Sequence, residues 1–217
     1  MKQYHRNYSE YKGELRRPSC VLFHPKGRLF GTAAKGMGLQ MPQPLIDDAR
    51  RILSTSLLDA VNKEIYHPIY QTTTTDRRME HRVDVDGTTQ RFTPVQVNAM
   101  ILQYLKESAE EYLKCPITKA VVICPNRSIL YQRNDLMEAA ELAGLHVQLV
   151  LMKSTAAALA CGIRPGDTNV RYLMVFDYGG GKVNIIILSV QSRSFRTLAR
   201  YGSHARDEVA LDILIMK

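Results

Sequence analysis

The chain has 217 residues, enough for one large domain or two small ones, and its 45% hydrophobic and 23% charged residues are the balance of an ordinary globular protein. No apolar run approaches the roughly 20 residues of a membrane helix, and the basic start Met1-Lys2-Gln3-Tyr4-His5-Arg6 lacks the apolar stretch of a secretory signal. The net charge of +8 is uneven, since residues 1–35 hold Lys2, Arg6, Lys12, Arg16, Arg17, Lys26, Arg28 and Lys35 against Glu10 and Glu14.

That basic stretch has two readings. One is a solvated leader, favoured because no aromatic stacking motif accompanies the charge. The other is contact with an acidic partner such as RNA or a filament. The two acids argue against a mitochondrial presequence. Cys20, Cys115, Cys124 and Cys161 are far apart, with no Cys-x-x-Cys pair and no histidine at ligand spacing. They read as reduced thiols, which places the protein in the cytoplasm, with an organellar matrix as the alternative. The six histidines are scattered and form no metal-site pattern.

Residues 1–16 are polar and without periodicity, and read as an arm. Ser19–Phe23 and Gly27–Gly31 read as short strands around the turn His24-Pro25-Lys26-Gly27. Thr32–Gln40 reads as a short helix weakened by Gly36 and Gly38. Leu45–Leu53 has a helical pattern, and Thr72-Thr73-Thr74-Thr75-Asp76 resembles a loop tip. Glu80–Val85 and Thr88–Phe92 form a hairpin through Asp86-Gly87, a strong turn pair. Thr93-Pro94-Val95-Gln96 then carries three helix-start signals: a cap, a proline at the first helical position and a glutamine to close a capping box. Val97, Ile101, Tyr104, Leu105, Ser108, Tyr112 and Leu113 trace one face of that helix.

A β-α-β rhythm follows. Ala120–Cys124 is a buried strand, Ser128–Leu142 a helix stopped at Gly144, Val147–Leu151 a strand and Ser154–Cys161 a small-residue helix stopped at Gly162. Pro165-Gly166-Asp167 is a turn. Tyr172–Phe176, Val183–Val190 and Ser194–Tyr201 form a three-stranded meander, and Asp207–Met216 reads as a helix.

The most informative residues join the first two strands of the meander: Asp177-Tyr178-Gly179-Gly180-Gly181-Lys182-Val183-Asn184. Glycines let a backbone approach a phosphate, and successive amides make an anion-binding concavity. A Walker loop is excluded, because Phe176 and Val183 occupy positions where that motif needs Gly and Ser or Thr.

Phe92-Thr93-Pro94, Ile123-Cys124-Pro125, Tyr131-Gln132-Arg133, Ala143-Gly144-Leu145, Ser154-Thr155-Ala156-Ala157-Ala158 and Phe176-Asp177-Tyr178-Gly179-Gly180-Gly181 stand in one order and spacing. In that order the chain resembles the ATPase domain of the seventy-kilodalton heat-shock chaperone family over about residues 17–216. Arg17-Pro18-Ser19, Phe30–Lys35 and Asp48–Arg51 match weaker landmarks. The resemblance implies an actin-like α/β fold that is incomplete: residues 17–163 as a lobe I-like region without its first hairpin, and 168–217 as the start of lobe II. It also implies ATP or ADP and magnesium as the family's ligands, with Asp177 and Gly179, Gly180, Gly181 and Lys182 as a vestigial nucleotide site.

The departures concern that site. Where the resemblance implies a catalytic lysine stands Arg50, which is not equivalent at a crowded site. The implied glutamate is Lys153, the proline after it Ser154, the second-loop threonine Lys182 and a following aspartate Asn184. Asp207 and Glu208 fall on the implied adenosine-loop glycines. Of the implied magnesium-holding acids only Asp177 remains. We therefore expect no catalytic residue among Arg50, Lys153 and Asn184, no magnesium and no required cofactor. Any ATP or ADP would bind without metal through Lys182, unless that lysine pairs with Asp177 in an empty cleft. Pro125 and Arg133 match positions that the resemblance assigns to nucleotide coupling; here they read as a strand terminator and a surface cation. Three functions follow: a non-catalytic chaperone-like subunit of a larger assembly, a fragment of a divergent ATP-binding folding chaperone, or a basic RNA- or filament-binding module.

Overall fold

Cys20–Phe23 is a four-residue apolar run closed by a Pro-Lys-Gly turn, too short for a buried helix. In the structure, a computed structural model, it forms β1 (Cys20–His24), hairpin-paired to β2 (Gly27–Phe30). Residues 17–42, 44–47, 53, 72–75, 78–126, 128, 130–164, 166, 170–179, 182–191 and 194–203 are described. The chain divides into two compact units, Met1–Val122 with Ser128–Val150, and Ile123–Arg127 with Leu151–Lys217.

In the first unit β1 is buried on both faces. Val21 and Phe23 point into a core with Phe30, Ile46, Val83, Val97, Ile101 and Tyr104. Cys20 and Leu22 point the other way, onto Ala34 of α1 (Gly31–Gly38). Burial pushes the Cys20 thiol up to about 11, and its Sγ donates to the Gly31 carbonyl at 3.2 Å. Leu45–Asp47 is a strand, β3, in place of the helix expected over Leu45–Leu53. It pairs antiparallel with β1 through Leu22↔Leu45 and Val21↔Ile46, and Ile46 is buried. A ladder partner overrides a short helical pattern there; residues 48–52 lie outside the described residues.

Thr72–Thr75 is also a strand, β4, and not a loop tip. Its β-branched residues pair with β5 (Arg78–Val85), which pairs in turn with β6 (Thr88–Phe92). The β5–β6 turn is Asp86-Gly87, with φ of 49° and 71°, the left-handed pair that a two-residue hairpin requires. Phe92 stacks on Phe23 with centroids 4.6 Å apart. The helix α2 (Pro94–Leu113) starts as its sequence predicts. Gln96 N donates to Thr93 Oγ1 at 3.2 Å, and Thr93 N donates to Gln96 Oε1 at 2.9 Å. Arg17 docks on this helix, donating to Ser108 Oγ at 3.0 Å and Tyr104 Oη at 3.3 Å, with its guanidinium 5.7 Å from the Tyr104 ring centre.

α3 (Leu130–Leu142) packs on α2. It ends before Gly144, whose φ of 71° suits glycine and whose carbonyl accepts from Lys106 Nζ at 3.1 Å. β7 (Lys119–Cys124) pairs with β8 (His146–Met152). β7 is less buried than its apolar run suggests: Val122 and Cys124 are buried, while Val121 and Ile123 are more than half exposed. The second unit holds α4 (Lys153–Ala160) and an antiparallel meander of β9 (Arg171–Gly179), β10 (Lys182–Gln191) and β11 (Ser194–Ser203), in the order β11-β10-β9. The expected helix over Asp207–Met216 and the arm of residues 1–16 lie outside the described residues, as do most residues of the turn at Pro165-Gly166-Asp167.

Two predictions follow from the first unit. Thr93→Ala removes the bond from Gln96 N to Thr93 Oγ1, while the backbone N–H of residue 93 keeps Gln96 Oε1, and it should lower stability by about 1 kcal/mol in denaturant unfolding; Thr93→Ser should cost much less. His81, in β5, is 2% exposed, and burial pushes its pKa from 6.5 to about 4. Between those two values the unfolded chain binds the proton and the folded chain does not. Stability should therefore fall as pH drops from about 6.5 to 4, by about 1.4 kcal/mol per pH unit at most. Unfolding midpoints across this range test it, with an NMR titration of the His81 imidazole as a second readout. A flat midpoint, or imidazole protonation near pH 6.5, would show that the histidine is not desolvated.

Candidate functional site

A strand sends successive side chains to opposite faces. On β9 this puts Leu173, Val175 and Asp177 on one face, half-buried, and Tyr172, Met174 and Phe176 on the other, exposed. The β9–β10 register sets Leu173 opposite Leu188, Val175 opposite Ile186 and Asp177 opposite Asn184. Ile186 and Leu188 are buried, and Ala158 of α4 packs on them with Leu173, Val175, Ile163 and Phe195. α4 thus covers the face that carries Asp177.

Lys153 is the first residue of α4, and its ammonium reaches Asp177. Nζ is 2.8 Å from Oδ1 and 2.8 Å from Oδ2. The lysine side chain is 57% exposed and the aspartate 21%. Asn184, directly across from Asp177, brings no charge. One step further, Gly179 pairs with Lys182, leaving only residues 180 and 181 between the paired ends.

The helix start beside this pair is held by Asn126. Met152, the residue before α4, makes no side-chain cap. Instead Asn126 Oδ1 accepts from Ser154 N at 2.9 Å, and the Asn126 carbonyl accepts from Arg200 Nη1 at 3.4 Å. Asn126 and Ser154 are both buried, and the Ser154 hydroxyl has no hydrogen-bond partner among the described residues. A helix begins with amides that lack intrahelical acceptors. A proline at position 154 would bring no N–H; serine brings one, and Asn126 accepts it.

The structure therefore brings together Lys153, Asp177 and, by register, Asn184. Arg50, Gly180, Gly181, Asp207 and Glu208 lie outside the described residues; Lys182 is placed by its backbone alone. Lys153 is on Asp177; the pairing expected of Lys182 concerns a side chain outside the described residues. Asn126 and Arg200 were missed from sequence. Asn126 acts across 28 residues and Arg200 across 74, and neither separation leaves a local signal. Arg133 is half-buried on α3, and its Nε lacks a hydrogen-bond partner among the described residues. Of the basic stretch 1–35, residues 17–35 are described.

Comparison with known proteins agrees with the motif order. The Hsp70 protein family matches residues 8–207. A human relative, named as a heat shock 70 kDa protein 7, is 31% identical over 192 residues, which is 88% of this chain and 52% of the relative. A heat shock 70 kDa protein of Neurospora crassa is 32% identical over 192 residues, 88% of this chain and 30% of the relative. The chain thus spans about half of one relative and under a third of the other. The matched region and the mixed helices and sheets are those of the actin-like ATPase domain, and the chain belongs to the Hsp70 family.

Proposed function

We propose that this chain is a non-catalytic Hsp70-family protein that serves as a structural or interaction subunit of a larger assembly. The observation that carries this reading is the Lys153 ammonium set on both carboxylate oxygens of Asp177. Magnesium takes near-octahedral oxygen ligands. Here a cation already stands on Asp177, and the residue across from it is a carboxamide. This donor set does not suit the ion. Among the described residues no group of three or more His, Cys, Asp or Glu side chains is arranged to hold a metal. Phosphoryl transfer takes most of its acceleration from positioning and from charge stabilisation by metal and cationic groups. A carboxylate neutralised by its own lysine contributes to neither.

The interaction part of the reading is supported by the outer face of the meander. Tyr172, Met174 and Phe176 of β9 are 61–69% exposed, and Tyr201 of β11 faces Ile185, which faces Phe176. Contiguous exposed apolar surface marks interaction sites. All four cysteines are free and Cys115 and Cys161 are exposed, which suits a reducing, cytoplasm-like compartment. No described helix is long and apolar enough to cross a membrane. A second reading, an ATP-binding fragment of a divergent folding chaperone, is favoured by the retained Asp177 and Gly179 and by the extent of the family match.

Two measurements separate these readings. The purified chain should release no phosphate from ATP above background, with or without magnesium. Turnover that Asp177→Ala abolishes would return the protein to the ATP-driven class. In sedimentation the chain alone should self-associate, and Met174→Lys with Phe176→Lys should shift it toward monomer. A monodisperse monomer with a cooperative unfolding transition would remove the support for a subunit role.

A further inference from the structure

We propose that Lys153 is a tethered counter-cation for Asp177, and that it makes this carboxylate selective against divalent metal ions. This deepens the non-catalytic reading and rests on it for taking Asp177 as the acid of that site.

The argument begins with competition for two atoms. The ammonium is 2.8 Å from each carboxylate oxygen, on the side where a chelated cation would sit. A divalent ion bound there must displace the lysine or lie beside it, and like charges a few ångströms apart repel even where water screens them. Asp177 is the more buried member of the pair. The register partner of Asp177 is Asn184, a carboxamide, so no carboxylate stands directly across from it to offset the repulsion.

The lysine is also anchored at its base. α4 is seated on the meander by Ala158 against Ile186 and Leu188, and its second amide is held by Asn126. Asn126 is in turn held by Arg200. The first turn of α4, and with it the root of the Lys153 side chain, returns to one place. The ammonium itself stays largely in water, so substitutions at 153 leave the core untouched.

The test is a titration of manganous ion, followed by the electron paramagnetic resonance of the free metal. The full chain and the variants Lys153→Arg, Lys153→Met, Lys153→Glu and Asp177→Asn are compared, with circular dichroism to show that each is folded. Lys153→Met should bind manganese about tenfold more tightly than the unaltered chain, because the repulsive charge is gone. Lys153→Glu should bind more tightly still, having gained an acid. Lys153→Arg should behave as the unaltered chain, and adding Asp177→Asn to Lys153→Met should cancel its gain. If Lys153→Met and Lys153→Glu bind no more tightly than the unaltered chain, the inference falls while the non-catalytic reading stands. If the unaltered chain binds manganese tightly and loses it in Asp177→Asn, both fall.

Discussion

The chemistry of the second unit depends on the two-residue period of β9. Once Leu173 and Val175 are committed to the face under α4, Asp177 is committed to it as well. The same step sends Tyr172, Met174 and Phe176 outward. A one-residue slip would bury the aromatic stripe and move the carboxylate away from Lys153. The β9–β10 ladder resists that slip because nine consecutive pairs, from Lys182↔Gly179 to Val190↔Arg171, run without interruption. The irregularity in the meander falls on its other seam, between Ile187 and Leu188 toward β11. Site and outer face are thus two readouts of one register.

The ion pair is a consequence of this packing more than a cause of it. Exposed pairs contribute about 0.2–1 kcal/mol, and the Lys153 head is largely in water. What seats α4 is Ala158 on Ile186 and Leu188, together with the amide of Ser154 on Asn126. The pair therefore changes what the site offers to ligands far more than it changes stability. The first unit follows the opposite logic. Its polar contacts serve the fold: Arg17 ties the start of the described chain to α2, and the Thr93–Gln96 box starts that helix directly behind the β5–β6 hairpin.

Elements with a local cause were legible in the sequence. Asp86-Gly87 needs left-handed backbone and has it; Thr93, Pro94 and Gln96 spell a helix start and make one. The motif order gave the family. Elements whose cause is distant were misread. Leu45–Asp47 carries too few residues to declare a period, and its conformation is decided by β1. Thr72–Thr75 reads as a loop by its threonines until β5 lies beside it. In the site, Asp177 and the charge of Lys153 were visible, but the bond between them was not. In the sequence only Lys182, five residues from Asp177, suggested such a bond, whereas Lys153 acts across 24 residues. The packing of α4 on the meander is what brings the distant Lys153 to the carboxylate. Asn126 was invisible for the same reason.

The non-catalytic reading gains a further argument from how the charge and the amide at the start of α4 are already engaged. Catalytic and anion-binding sites keep donors and charges open, preorganised toward a ligand that is not yet there. Here the carboxylate faces an ammonium and the first-turn amide of Ser154 faces the Asn126 carboxamide, while the Asn126 backbone carbonyl accepts from Arg200. A ligand would have to break these contacts before making its own, and a buried amide left without an acceptor costs about 1–3 kcal/mol. Lys153 and Ser154 are adjacent, at the start of one helix, and each finds its partner inside the same unit. A cation stands where an acid is expected, yet it lies on the Asp177 carboxylate. A serine amide where proline is expected would be an orphan, yet Asn126 accepts from it. Both departures are closed by neighbours, which is the arrangement of a corner whose work is to hold its own shape.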